Sequence, residues 1–334
     1  MINREVGIMI RYQHPTIIKF KGFSIKDFLD EKNVTILMEH VSRGSLAEFL
    51  QKVKSGLLEV DYDNTKRQIL LIGIARGMMY LHQNHIIHRD LKKHNILLDG
   101  NLCPLITDFG LSKFYGKEFT TSQSKQCGTC IYMAPEIMEG FRYSGKVDVY
   151  AFGILMYEIV TDMEPCPELK KGKLTEFQFT NKVVNDNYRP KFETPVKNSI
   201  KQFIERCWSK KSKDRPSFEE LFNKLAYHIE ESISDINEDR EVGTTKEEGK
   251  YYLENVNVDE VLSYTNEIDE MNFAPDDGIF LKFEKLKRDN EEMFIKFDKK
   301  LRTVRDENEK LKKDNEEMKS KLTELKNEVV DLKN

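Results

Sequence analysis

Apolar residues recur along the first two thirds of the chain at two spacings, one typical of helices and one of strands. Residues 2–12 carry apolar side chains three and four positions apart, which predicts a helix. Residues 65–84 repeat this spacing over a longer span and predict an amphipathic helix. Strands are predicted at 17–24 and 34–39, with a polar turn between them. The pattern therefore predicts an α+β fold with mixed content near its N-terminal end.

The same pattern predicts two helix starts and indicates whether the chain can cross a membrane. Ser45 followed by Glu48, and Ser217 followed by Glu220, have the spacing of capping boxes and predict two helix N-termini. The longest apolar stretch, residues 147–160, is interrupted by charges and too short to span a bilayer. We expect no membrane span and a cytoplasmic protein.

The last part of the chain has a different period. From about residue 279, apolar side chains fall at positions a and d of a heptad, which favours a coiled coil. The a positions are Leu301, Asn308, Asn315, Leu322 and Val329, and the d positions are Val304, Leu311, Met318, Leu325 and Leu332. Asn at two a positions favours a parallel homodimer in register, although the sequence also allows a different coiled-coil partner. The e and g charges are mixed, and the alternative is a single solvated helix.

Charge divides the chain in the same way. Residues 1–229 carry 34 Lys and Arg against 27 Asp and Glu, whereas residues 230–334 carry 19 against 30. The excess of positive charge in the first part is too diffuse to indicate nucleic-acid binding. Residues 230–278 are acidic and poor in apolar anchors, which predicts a largely flexible linker, with a short helix possible at 258–270. Cys127 and Cys130 lack the second ligand pair of a zinc site, so we expect reduced cysteines.

A polar cluster lies between two apolar runs at residues 86–98. His88-Arg89-Asp90-Leu91-Lys92 is followed by Asn95, and Asp108-Phe109-Gly110 comes after a turn. This combination resembles the catalytic loop and metal-binding Asp-Phe-Gly segment of eukaryotic protein kinases, specifically the tyrosine-kinase-like Ser/Thr group. The resemblance covers residues 1 to about 228. It implies a two-lobed kinase fold that binds ATP and magnesium and phosphorylates Ser or Thr hydroxyls of protein substrates.

The resemblance assigns catalytic and nucleotide-binding roles. Asp90 would accept the proton of the substrate hydroxyl, Lys92 would neutralise the migrating phosphate, and Thr129 would join the two. Asn95 and Asp108 would bind Mg²⁺. The gatekeeper and hinge positions are Met38, Glu39 and Val41, Leu97 would pack beneath adenine, and Glu5 would pair with a strand lysine. Lys92 and Thr129 favour Ser/Thr over Tyr substrates.

Regulatory and structural positions follow from the same resemblance. A phosphate in the presumptive activation segment could pair with Arg89 and order that segment. The candidate phosphorylation sites are Thr120, Thr121, Ser122 and Ser124. The remaining positions have structural roles: His88 and Phe109 at the catalytic segments, Asp148 bracing the catalytic-loop backbone, and Glu136 paired with Arg215.

Three departures from the family pattern stand out. The glycine-rich loop and the strand lysine that precede Glu5 in active kinases are missing, so we expect a truncated N-lobe (1–41), a mainly helical C-lobe (42–229), the linker and the coiled coil (279–334). Lys93 stands where the family commonly has Pro, and we expect a small effect. Either the sequence is an incomplete version of an active kinase, or it is a pseudokinase-like interaction module dimerised through 280–334. We favour the first because Asp90, Lys92, Asn95 and Asp108 are all present.

Overall fold

The chain folds into two units, Met1–Asp276 and Asp277–Asn334, and each is described by itself. The computed structural model describes residues 2–24, 29, 35–58, 60–114, 129–227 and 255–270, together with ten isolated residues between 285 and 318. The helices are α1 (Ile2–Arg11), α2 (Leu46–Lys54), α3 (Asn64–Gln83), α4 (Pro135–Met138), α5 (Lys146–Thr161), α6 (Pro167–Lys170), α7 (Glu176–Val184), α8 (Asn198–Cys207), α9 (Phe218–Tyr227) and α10 (Val258–Glu270). The strands are β1 (Phe20–Ser24), β2 (Thr35–Met38), β3 (Ile86–Ile87), β4 (Ile96–Leu98), β5 (Pro104–Ile106) and β6 (Lys113–Phe114). The mixed, mainly helical content predicted from the sequence is confirmed.

The N-terminal part consists of α1 and an antiparallel pair of strands. β1 and β2 pair with Ser24 opposite Thr35, and the register shifts between Phe20 and Gly22. The segment between α1 and β1 is attached to the rest of the unit through β5, because the Ile18 N–H donates to the Ile106 carbonyl at 3.0 Å. The Ile106 N–H donates in turn to the Thr16 carbonyl at 2.8 Å. These bonds connect α1 and β1 to the two-stranded β4–β5 sheet.

Two long helices, α3 and α5, form the core of the helical part. α5 is buried along almost its whole length, including the carboxylates of Asp148 and Glu158. α3 is also buried on most of its faces, because β5, α9 and α10 pack around it. The sequence pattern predicted only an amphipathic helix here, since it could not show how many elements would surround it.

Both predicted capping boxes lie at helix starts. At α2 the Ser45 hydroxyl accepts from the Glu48 N–H, and the Glu48 carboxylate accepts from the Ser45 N–H. At α9 the Ser217 hydroxyl accepts from the Glu220 N–H at 3.1 Å, but the Glu220 carboxylate pairs with Arg206 at 2.9 Å. The first box is thus complete, and the second has its serine half.

Helix α10 departs from the predicted acidic linker. It packs against α3 and α9 and buries Val261, Tyr264, Thr265 and Ile268, which are spaced as one face of a helix. Two ion pairs flank this face, Lys66 with Glu260 and Arg76 with Asp269, the latter at 2.6 Å. Residues 258–270 therefore belong to the first unit and not to a flexible segment.

Helix α10 packs against α3 at a glycine. A Cβ atom at Gly73 would lie 2.2 Å from the Tyr264 hydroxyl and 2.5 Å from Pro104 Cγ. Such distances are far below van der Waals contact, so α10 can approach α3 this closely only because residue 73 has no side chain. The Tyr264 ring is thereby buried between α3 and β5.

We expect Tyr264→Ala to lower the free energy of unfolding by about 2–3 kcal/mol, because it removes a buried aromatic ring and leaves a cavity under α10. The loss is limited because the Tyr264 hydroxyl is buried without a hydrogen-bond partner among the described residues, so removing it recovers part of the cost. Urea unfolding of Tyr264→Ala, of the control variant Ser263→Ala and of the natural protein measures this loss of stability. Ser263→Ala changes an exposed residue of the same helix and should shift stability by less than about 0.5 kcal/mol. Equal stabilities of the two variants would contradict the packing role of Tyr264.

The second unit is described only at isolated positions. All ten of its described residues are helical and exposed, and they include Met318, which is 66% exposed. The other heptad a and d residues lie outside the described residues, so the coiled coil stays a prediction. Across the described parts of both units, no helix has the length and apolar character needed to cross a bilayer.

Candidate active site

Buried apolar residues hold a polar loop in place between β3 and β4. Ile86 and Ile87 pair with β6, Leu91 is fully buried between Asp90 and Lys92, and Ile96 is fully buried directly after Asn95. A short 3₁₀ turn, Lys93–Asn95, leads the chain into β4. Since its apolar residues are fixed in the core, the loop presents Asp90, Lys92 and Asn95 together.

Asp148 of α5 braces the backbone of this loop. Its two carboxylate oxygens accept from the N–H groups of His88 and Arg89, each at 2.8 Å. His82 Nε2 adds a contact to the same carboxylate at 2.9 Å. Arg89 has φ = 70°, a left-handed conformation that costs about 1–3 kcal/mol for a side chain of this size. The two hydrogen bonds from Asp148 offset that cost.

Asp90, Lys92 and Asn95 form one hydrogen-bonded cluster. Lys92 Nζ lies 2.6 Å from Asp90 Oδ2, and Asn95 Nδ2 donates to the same oxygen at 2.9 Å. Asn95 Nδ2 also donates to the Asp90 carbonyl at 2.8 Å. Because its amide nitrogen is engaged in this way, Asn95 Oδ1 is the atom available to a cation. The Asp90 carboxylate is nearly buried and held by two donors on one side.

Thr107 and His88 connect this cluster to Asp108. The Thr107 N–H donates to the Asn95 carbonyl at 3.0 Å, and the His88 ring contacts the Thr107 carbonyl through Nε2 at 3.0 Å. Phe109, two positions after Thr107, is fully buried and packs on the His88 ring with centroids 5.3 Å apart. Asp108, placed between these anchors, is therefore held beside the catalytic-loop cluster.

Asp108 and Glu5 bring two carboxylates close together. Asp108 has φ = 65°, and its carboxylate accepts from the Gly110 N–H at 3.3 Å. The pKa of the Glu5 carboxyl is raised, first by burial and then by the negative charge of Asp108. Two neighbouring carboxylates favour a cation between or beside them. Asp108 and Asn95 Oδ1 are hard oxygen donors of the kind that Mg²⁺ prefers, and Glu5 is the carboxylate that the resemblance pairs with a lysine.

The hinge positions connect β2 to α2 beside β4. The Glu39 N–H donates to the Lys19 carbonyl at 2.9 Å, and the Glu39 carboxylate accepts from the Lys19 N–H at 2.7 Å. Further along, the Leu98 N–H donates to the Gly44 carbonyl at 2.9 Å, which places Leu97 beside the segment that leads from the hinge into α2. Met38 is 43% exposed at the end of β2.

Comparison with known proteins identifies the family. Residues 1–225 match the family described as protein tyrosine and serine/threonine kinase, which is more than half of the chain. The chain belongs to this kinase family. The family generally uses ATP and Mg²⁺, in agreement with the oxygen donors described above.

Several curated kinases are similar over the same region. A probable serine/threonine-protein kinase of Dictyostelium discoideum is 35% identical over 222 residues, which cover 66% of this chain and 22% of that protein. Among kinases of Arabidopsis thaliana, CTR1 is 34% identical over 232 residues and STY17 is 32% identical over 234, each covering 69% of this chain. The matched region spans 27% of CTR1 and 37% of STY17, so the chain corresponds to a minor part of these kinases.

Other predicted kinase positions differ in how the structure places them. Thr129 lines the same small cavity as Asp90 and Arg89, but within the described residues its side chain makes no hydrogen bond to Asp90 or Lys92. Arg89 lies over the Tyr143 ring, 5.8 Å from its centroid. The candidate phosphorylation sites at 120–124 lie outside the described residues.

Arg215 and Glu136 form the expected pair. The guanidinium donates to both carboxylate oxygens at 2.6 and 2.8 Å, and the Arg215 side chain is fully buried. The pair joins α4 to the segment before α9 and anchors the loop that leads from the catalytic region into α4. This is the contact that the family resemblance implied.

Lys93, for which the sequence leads us to expect a small effect, makes a partly buried contact near the site. Lys93 is paired with Glu158 of α5 at 2.7 Å, in a partly buried position close to Asp90. Its signal in the sequence was the replacement of the common Pro by a charged residue. The signal could not identify a partner, because Glu158 is 65 positions away along the chain.

Proposed function

We propose that the protein is a protein serine/threonine kinase that transfers the γ-phosphate of ATP to Ser or Thr hydroxyls of protein substrates. The observation that carries this proposal is the cluster of Asp90, Lys92 and Asn95, tied through Thr107 to Asp108. Phosphoryl transfer needs positioning and charge neutralisation more than covalent work by the protein, and this cluster supplies both.

Each residue of the cluster has a role that its contacts support. Asp90 accepts the proton of the substrate hydroxyl as that oxygen attacks the γ-phosphorus and the bond to ADP breaks. Lys92, held on the Asp90 carboxylate, offsets negative charge on the transferred group. Asn95 and Asp108 hold Mg²⁺, which when bound neutralises phosphate charge.

The hinge and Glu5 complete the proposed nucleotide site. Backbone groups of Glu39 and Val41, which follow Met38 in the chain, bind the edge of the adenine ring. Leu97 packs beneath that ring. Support comes from the hydrogen bonds that hold the hinge segment against β4. Burial and then the charge of Asp108 raise the pKa of the Glu5 carboxyl, and a cationic partner near the phosphates would offset both effects.

The class of substrate is supported by residue types and by relatives. Lys92 and Thr129 are present as in Ser/Thr kinases, and CTR1 and STY17 are named serine/threonine-protein kinases. Phosphorylation at Thr120, Thr121, Ser122 or Ser124 would place a phosphate within a segment that Arg89 can stabilise by charge-assisted hydrogen bonds.

The proposal is tested by incubating the full-length protein with Mg²⁺ and ATP labelled on the γ-phosphate, with a mixture of generic protein substrates. We expect label on Ser and Thr, detected by phosphoamino-acid analysis. Label confined to Tyr would contradict the substrate class. A protein that neither binds ATP nor transfers label would support the interaction-module alternative instead.

We further propose that the C-terminal heptads form a parallel dimer. The helical, exposed positions described in this unit, with the d residue Met318 among them, support the proposal. Replacing Leu311 and Leu325 by Asp puts charges at two d positions and should convert the dimer to a monomer in equilibrium sedimentation. Lys313→Asp, at the outward f position, should leave the dimer intact. A monomeric natural chain at tens of micromolar would contradict the dimer.

A further inference from the structure

Lys93 makes a contact that the family pattern does not account for. Its ammonium lies 2.7 Å from one carboxylate oxygen of Glu158 and 3.5 Å from the carboxylate of Glu164. Only 17% of the Lys93 side chain and 4% of the Glu158 side chain are exposed. Burial alone would lower the pKa of Lys93, but the charges and hydrogen bonds of Glu158 and Glu164 together outweigh it, so the pKa is raised.

The other oxygen of Glu158 is occupied from a different loop. The Tyr132 hydroxyl donates to Glu158 Oε2. Tyr132 is almost fully buried. Burial raises the pKa of the Glu158 carboxyl, while Lys93 and Tyr132 oppose that rise by stabilising the charged form. Lys93 and Tyr132 thus bind the two oxygens of one Glu158 carboxylate and form a triad with it.

The triad touches both loops that border Asp90. Lys93 follows Asp90 by three positions, in the turn that leads to Asn95. Tyr132 ends a short turn, and the Tyr132 N–H donates to the Thr129 carbonyl at 3.0 Å. Thr129 in turn lines a small cavity with Asp90. Through Glu158, the position of the Thr129–Tyr132 turn is coupled to the position of the catalytic loop.

We propose that Lys93 is a positioning residue that sets the spacing between the catalytic loop and the Thr129–Tyr132 turn by way of Glu158. The proposal rests on the proposed kinase function. Removing two charges from water costs nearly as much as their attraction returns, so a buried ion pair is weak support for stability alone. A pair that fixes the register of two segments has a use that stability does not explain.

The matched variants are Lys93→Met, which keeps the apolar stem without the charge, and Lys93→Arg, which restores a charge. Lys170→Met is the control, because Lys170 is 62% exposed and, among the described residues, pairs with Glu164 and not with Glu158. Two readouts are made on the full-length protein: hydrogen exchange of the Tyr132 and Met133 amides, and kcat and KM for phosphate transfer.

In Lys93→Met we expect exchange of these two amides to be roughly tenfold faster. We expect kcat to fall about tenfold to a hundredfold with KM for ATP unchanged, because a misplacement near the reacting groups affects the transition state more than binding. Lys93→Arg should recover most of both, and Lys170→Met should change neither.

Unchanged exchange in Lys93→Met would overturn the proposed link, and faster exchange with unchanged kcat would reduce Lys93 to a packing residue. Should Lys93→Met fail to fold, Tyr132→Phe removes only one hydroxyl and must show the same two changes for the proposal to stand. If the natural protein transfers no phosphate, the kinase function fails, while the exchange rates still decide whether Lys93 holds the turn.

Discussion

An Asp90→Asn variant is expected to lose phosphate transfer by about 10²–10⁴-fold while it binds Mg²⁺ and ATP with nearly unchanged affinity. Asn has the shape of Asp and can still accept from Lys92 and Asn95 through one oxygen, so the loop should keep its conformation. It cannot take up the hydroxyl proton. Transfer assays and calorimetric binding of Mg²⁺ and ATP measure the two quantities on the full-length protein.

Asp186→Asn is the matched control, because Asp186 is exposed at the end of α7, and it should leave transfer unchanged. An Asp90→Asn protein that retained full turnover could not be using Asp90 as its base. A variant that lost nucleotide binding to the same extent would indicate that Asp90 shapes the site instead of acting on the proton.

Replacing Arg215 by Met is expected to lower the free energy of unfolding by about 3–5 kcal/mol. Arg215 is fully buried, donates to both oxygens of Glu136, and also donates to the carbonyls of Ser209 and Lys146 at 2.9 and 3.0 Å. Met fills a similar volume but leaves the carboxylate of Glu136, itself only 14% exposed, without its cation. The cost therefore comes from an uncompensated charge and from carbonyls that lose donors.

Arg206→Met tests whether the loss is specific to the buried pair. Arg206 contacts Glu220 at 2.9 Å with 45% of its side chain exposed, and surface pairs of this kind contribute less than about 1 kcal/mol. Chemical denaturation of both variants gives the comparison. If Arg215→Met were no more destabilised than Arg206→Met, the Arg215–Glu136 contact would not be holding α4 in place.

How much the sequence could predict depended on the distance between partners along the chain. Asp90, Lys92 and Asn95 follow one another closely, so the cluster they form was predictable from their spacing and family resemblance. The capping box at α2 was equally local. Glu158 is 65 positions from Lys93, and nothing in the surrounding residues of either one indicates the other.

Helix α10 shows the same limit from the opposite direction. Its apolar residues have helical spacing, so a helix at 258–270 could be predicted, but the acidic composition around it favoured a flexible segment. Arg76, which pairs with Asp269, is 193 positions earlier, and Gly73 contributes only by lacking a side chain. The lack of a side chain at Gly73 is not visible in a pattern of apolar residues. The sequence therefore could not show that α10 packs against α3 at this position.

The docking of α10 also bears on which residues a shortened polypeptide of this kinase should include. The family match stops at residue 225. A polypeptide shortened to that point would lack Tyr264, so the surface of α3 around Gly73 would be exposed to water. Lys66 and Arg76 would then lose their acidic neighbours. For recombinant production, a polypeptide that extends beyond Glu270 would keep this surface of α3 covered. A shorter polypeptide would expose it and favour aggregation.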